Sequence, residues 1–140
     1  MVKRIFSKGL EQLDEVLRTV SDALAFANFP HSTISQVLLA TEEIYCRIVK
    51  YAYINSMCDV LFSYQISEEP LSVTIRFSDY GIPFNPLKLK APAFAATIQD
   101  DPIVGLENYI AKRSMDEAKY RYYKGNNILV MKKSAYEANC

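Results

Sequence analysis

A chain of 140 residues is long enough to bury a substantial core as one domain, and its 50% hydrophobic content excludes a disordered tail. Its 16 Lys and Arg side chains are balanced by 16 Asp and Glu, so no global field draws it to nucleic acid or an acidic membrane, and binding must come from a local site. No segment offers the roughly twenty apolar residues that span a bilayer, and no long apolar run follows the basic pair Lys3-Arg4, so a cytoplasmic protein is expected.

Val2 to Ser7 suits a short first strand. Leu10, Leu13, Leu17, Val20 and Leu24 then recur at spacings of three and four, which predicts an amphipathic helix closed by Asn28-Phe29-Pro30. Thr33 followed by Gln36 three residues on resembles a capping box. Ile34, Val37, Leu38, Thr41, Ile44, Tyr45, Ile48 and Ala52 trace one side of the second helix that it would open. Cys46, Cys58 and Cys140 are odd in number and lack CxxC spacing, and with the single His31 they leave too few ligands for zinc, so all three are expected to be reduced thiols.

Val60, Phe62, Tyr64 and Ile66 predict a strand, Glu68-Glu69-Pro70 a turn, and Leu71 to Phe77 the antiparallel strand that returns beside it at the centre of a sheet. In that second strand Leu71, Val73, Ile75 and Phe77 alternate with Ser72, Thr74, Arg76 and Ser78 up to Asp79, so a buried strand delivers one carboxylate to its own end. Gly81 lets the backbone turn sharply or a ligand approach, and Pro83 and Pro86 stiffen the chain beyond it. Asp79 therefore has two readings, a ligand site and a turn in which it caps its own backbone.

From Leu87 to Pro102 the pattern loses periodicity, and the stretch is expected to be a lid. Leu106, Tyr109, Ile110 and Met115 mark a third helix. Strands Ala118–Lys124 and Ile128–Lys132, joined by Gly125-Asn126-Asn127, close the domain, with a frayed tail from Ser134 to Cys140. The expected fold is α+β: one domain over residues 1–140, with a mixed, mainly antiparallel sheet of about five strands and three helices on one face.

Four blocks, in order, carry a family resemblance. Leu39 to Tyr53 resembles the N-box helix of the GHKL (histidine kinase/Hsp90-like) ATPases, nearest by pattern to the anti-sigma-factor serine/threonine kinases and their regulatory cousins. Asp79-Tyr80-Gly81-Ile82-Pro83-Phe84-Asn85-Pro86 resembles that family's first glycine box, Gly105 to Asp116 its second, and Tyr120 to Lys133 its closing hairpin. The resemblance implies an ATP- or ADP-binding site at Asp79, Gly81, Phe84, Arg47, Gly105 and Leu106. Asp79 would meet the adenine amino group, Gly81 would pass close to the base, and the backbone at Gly105 and Leu106 would face phosphate. Glu43 stands at the position of the family's general base.

The departures from the family pattern fall at the phosphate and metal end. Arg47 replaces the asparagine that ligates Mg²⁺ and offers no lone pair to a metal, so no metal is expected there. Arg47 also lies one helical turn after Glu43, in the favourable order for an ion pair. Glu107 replaces a glycine of the second box, Val130 stands where many relatives place a threonine near the adenine, and Tyr51 where many place a histidine. The resemblance thus leaves open a regulator that binds proteins without catalysis, an active serine/threonine kinase that phosphorylates an antagonist protein, and a fold whose pocket has closed around Arg47 and Glu107. It implies a sigma factor or a STAS-type antagonist as partner and a homodimer, while the balanced charge and the lack of a bilayer-spanning run lead to an expectation of neither nucleic acid nor membrane as partner.

Overall fold

The structure, a computed structural model, describes residues 2–7, 12–49, 60–81, 83, 85–88 and 114–136. Strand β1 spans Val2–Ser7, as expected. Helix α1 spans Leu13–Phe26, and its Val16, Val20 and Leu24, spaced by four, are fully buried. It ends where Asn28 takes a left-handed turn at φ 67°. The Asn28 N–H bonds the Ala25 carbonyl at 3.0 Å and the Phe29 N–H bonds the Leu24 carbonyl at 3.0 Å, a Schellman closure that satisfies carbonyls otherwise orphaned at a helix end.

Helix α2 spans His31–Arg47 and starts one residue after Pro30, which occupies its N-cap with no side-chain cap bond. The capping-box expectation for Thr33 is therefore corrected. Thr33 is 4% exposed, and its hydroxyl donates at 2.7 Å to the carbonyl of Ala135, 102 residues away. Thr33→Val keeps the shape and removes this donor, so it is expected to cost about 1–2 kcal/mol. Urea unfolding at unchanged slope measures it, and an unaltered midpoint would show the bond to be stabilising nothing.

Strands β2 (Val60–Glu68), β3 (Leu71–Asp79), β4 (Glu117–Tyr123) and β5 (Asn126–Ser134) complete a sheet ordered β1-β2-β3-β5-β4. Every pairing in it is antiparallel, where a mixed sheet was allowed for. Side chains alternate across it. Phe62, Tyr64, Val73, Ile75, Phe77, Leu129 and Met131 face α1 and α2 and form one core with them. Phe77 is its centre, edge-on to Phe62 at 5.2 Å and to Tyr45 at 6.4 Å between ring centroids.

The opposite face carries no described helix. On it the register sets Ser63, Arg76, Val130 and Lys119 in one row and Gln65, Thr74, Lys132 and Glu117 in the next.

The last hairpin is tighter than expected. Its turn is Lys124-Gly125, with φ of 50° and 81°, the paired left-handed residues of a two-residue turn that matches strand twist. Asn126 and Asn127 consequently belong to β5. The tail expected from Ser134 is corrected at its start, because Ser134 closes β5 and Ala135 is buried with its N–H bonded to the Leu71 carbonyl at 2.8 Å, and residues 137–140 lie outside the described residues. Of the expected lid, Leu87 and Lys88 belong to a single 3-10 turn over Pro86–Lys88 that buries Leu87. The rest of the lid and the third helix up to Arg113 lie outside the described residues.

Candidate functional site

Strand β3 ends by carrying Asp79 out of the core on the helix-facing side, where 4% of it remains exposed. The antiparallel register sets Asn127 of β5 directly opposite. Asp79 Oδ1 accepts the Asn127 Nδ2–H at 2.9 Å and the Gly81 N–H at 2.8 Å, while the same amide nitrogen lies 3.3 Å from the Gly81 carbonyl. Tyr120 of β4 donates its hydroxyl to Asn127 Oδ1, so the amide has its acceptor toward the tyrosine and its donors toward the carboxylate. The self-capping reading of Asp79 is thus realised at one oxygen, and it leaves the other available. Oδ2 makes no hydrogen bond among the described residues.

Asp79 borders a cavity of about 10 Å³, lined also by Ile48, Phe77, Pro86, Tyr120 and Leu129, with Asn127 on its rim. That volume matches roughly one water molecule. Helix α2 closes the side of this cavity, its last turn widening to π-type geometry at Ile48 and Val49.

Arg47 stands just before that widened turn. The (i, i+4) pair expected with Glu43 is formed, Nη2 to Oε1 at 2.7 Å, with side-chain exposures of only 4% and 14%. Nη1 donates to the Pro86 carbonyl at 3.0 Å. One guanidinium therefore ties α2 to the segment leaving Asp79, and the two arms of the site, helix and strand end, are joined through it. A planar fork of donors suits this double duty; a lysine ammonium would not reproduce it.

Among the sequence-predicted residues, the structure brings together Glu43, Arg47, Asp79 and Gly81 around this junction. Phe84, Gly105 and Leu106, together with Tyr51 and Glu107, lie outside the described residues. Val130 is a correction. It falls on the opposite face of the sheet, in line with Ser63 and Arg76, and is no neighbour of Asp79.

Asn127 and Tyr120 were missed. Their signal was the two-residue turn, which makes Asn127 an inward-facing strand position where a polar amide needs a buried partner. Cys46, on α2, is a free thiol whose pKa burial and then the Glu42 carboxylate push up, which favours its protonated form.

The chain matches the family described as "Histidine kinase-like ATPase domain" over residues 6–133. Among solved structures it is similar to the RsbU and RsbW domains of Rv1364c from Mycobacterium tuberculosis, with a TM-score of 0.64 at 14% identity over 96% of this chain. It spans 32% of that longer chain, and the likeness is one of fold. No curated protein matches it. Among the described residues no helix is long and apolar enough to cross a membrane.

Proposed function

The chain belongs to the histidine kinase-like ATPase domain family, and from that membership we propose an anti-sigma-factor serine-kinase-like regulator that acts by binding proteins, without phosphoryl transfer. The observation that carries this reading is Arg47. Its guanidinium occupies the metal-ligand position, offers no lone pair, and already serves the Glu43 carboxylate and the Pro86 carbonyl. Mg²⁺ demands oxygen ligands in near-octahedral geometry, and these residues do not fit it. Glu43, at the general-base position, is held in the same ion pair.

At the adenine end the polar anchor is kept, although the cavity of about 10 Å³ beside it would have to open to admit a base. Asp79 has one oxygen anchored by Asn127 and Gly81 and the other unbonded among the described residues, which suits it to accept a hydrogen bond from an exocyclic amino group. ATP or ADP is therefore the ligand class, held by Asp79 and Gly81 with Phe84, Gly105 and Leu106 completing the site by family resemblance. The partners proposed are a sigma factor or a STAS-type antagonist, met in the cytoplasm by a homodimer.

Titration calorimetry with ATP and with ADP, each with Mg²⁺ and with a chelator, tests the reading. The expected result is binding that the chelator leaves unchanged, and no labelled phosphate passed to an antagonist protein. Mg²⁺-dependent turnover abolished by Glu43→Ala would instead establish the kinase.

A further inference from the structure

The chain has zero formal net charge, yet its charges are not evenly spread. On the sheet face opposite the helices, Val130 is flanked across the strands by Arg76 and Lys119, and Lys132 follows two residues along the same strand. Arg121 adds a further cation on β4, stacked over the Tyr123 ring at 5.2 Å. Among the described residues the other acids lie off this face, on α1, on α2, at the β2–β3 turn, at Asp79 and at Asp116, and Glu117 is the one acid on it in β2 to β5. Glu117 pairs with Lys119 at 3.7 Å, with exposures of 52% and 80%, a contact too solvated to neutralise much. Arg76 and Lys132 have no acidic partner among the described residues, and both are exposed.

The face is also shaped. A groove of about 400 Å³ runs over Ser63, Gln65, Thr74, Arg76, Ser78 and Val130. Its walls also include Leu61 and Tyr64; its cation is Arg76 and its apolar side chains are Val130 and Leu61.

We propose that this face docks an acidic, partly apolar segment of a partner protein, with one apolar side chain over Val130 and carboxylates on Arg76, Lys119 and Lys132. Two features select that occupant. A guanidinium beside hydroxyl donors matches the planar, two-oxygen geometry of a carboxylate. An apolar centre ringed by polar groups is the usual anatomy of a protein interface. Tyr64 lines the groove and Tyr123 lies on the same face, so single-stranded nucleic acid, which stacks its bases on such rings, is the competing occupant that the oligothymidine arm of the test decides. A second copy is disfavoured because facing two such surfaces would oppose cation to cation. The inference does not depend on whether the Asp79 site holds a nucleotide.

The test is fluorescence anisotropy of the whole chain with a short labelled peptide alternating Glu and Val, against a Lys–Val peptide and a labelled oligothymidine. The Glu–Val peptide is expected to bind, to weaken about tenfold with Arg76→Glu and again with Lys132→Glu, and to weaken as salt rises. Both positions are exposed, so the variants should fold as the parent does, which circular dichroism checks. Glu15→Lys on α1, remote from the face, is expected to leave binding unchanged. The proposal is overturned if oligothymidine binds more tightly than the Glu–Val peptide, if neither charge reversal matters, or if light scattering shows a dimer that Arg76→Glu dissociates.

Discussion

Arg47→Ala is expected to destabilise the protein by about 3 kcal/mol, near the lower end of what breaking a buried ion pair costs. The variant strands the Glu43 carboxylate, only 14% exposed, in a low-dielectric pocket and deprives the Pro86 carbonyl of its donor. The remaining exposure of Glu43 lets some water in, which keeps the cost from the upper end. Denaturant unfolding reads the loss directly. The companion measurement is the double change Glu43→Gln with Arg47→Met, which removes both charges while keeping volume, and it should recover most of the stability. A single variant within about 0.5 kcal/mol of the parent would mean that the guanidinium is not the tie between helix and strand end.

The second large effect belongs to Asp79, where two substitutions separate architecture from recognition. Asp79→Ala orphans the Gly81 N–H and deprives the Asn127 amide of its carboxylate, each worth about 1–3 kcal/mol when buried without a partner; since the Asn127 amide nitrogen keeps the Gly81 carbonyl at 3.3 Å, a total loss of about 2–4 kcal/mol is expected. Asp79→Asn keeps an acceptor at the Oδ1 position and should lose less than about 1 kcal/mol, but it replaces Oδ2 with a donor. An adenine amino group would then meet a donor, and ADP affinity should fall about tenfold or more while the melting temperature stays close to that of the parent. Undiminished ADP binding by the asparagine variant would place the nucleotide away from Asp79.

What was legible in the chain was what depends on near neighbours. The strand Leu71–Asp79 shows alternation because one face of it is buried, and the α1 repeat holds at Val20 and Leu24, which are buried in the core together with Val16, a position the repeat did not include. The Glu43–Arg47 pair is a one-turn interaction, legible from spacing alone. What failed needed partners far away in sequence. Thr33 looked like a cap because its local context allows one, and a carbonyl 102 residues on captured its hydroxyl instead. Placing Val130 beside Asp79 erred by the strand's own period: neighbouring residues point to opposite faces, so Leu129 faces the core and Val130 faces away. Asn127 was hidden for the same reason, since only the cross-strand register reveals that it lies opposite Asp79.

Strand order also matters while the chain is leaving the ribosome. β3 is flanked by β2, made just before it, and by β5, made after β4 has already been passed. Until β5 emerges, β3 presents a full row of unpaired N–H and C=O groups along an apolar strand, which is an invitation to pair with another nascent chain. The alternation of Ser72, Thr74, Arg76 and Ser78 along that strand keeps one side soluble during the wait, with Arg76 acting as a charged gatekeeper. Asp79 meanwhile waits for Asn127, and Thr33 for Ala135, so the candidate site and the anchor of α2 are finished together by the same late strand and the residue just after it.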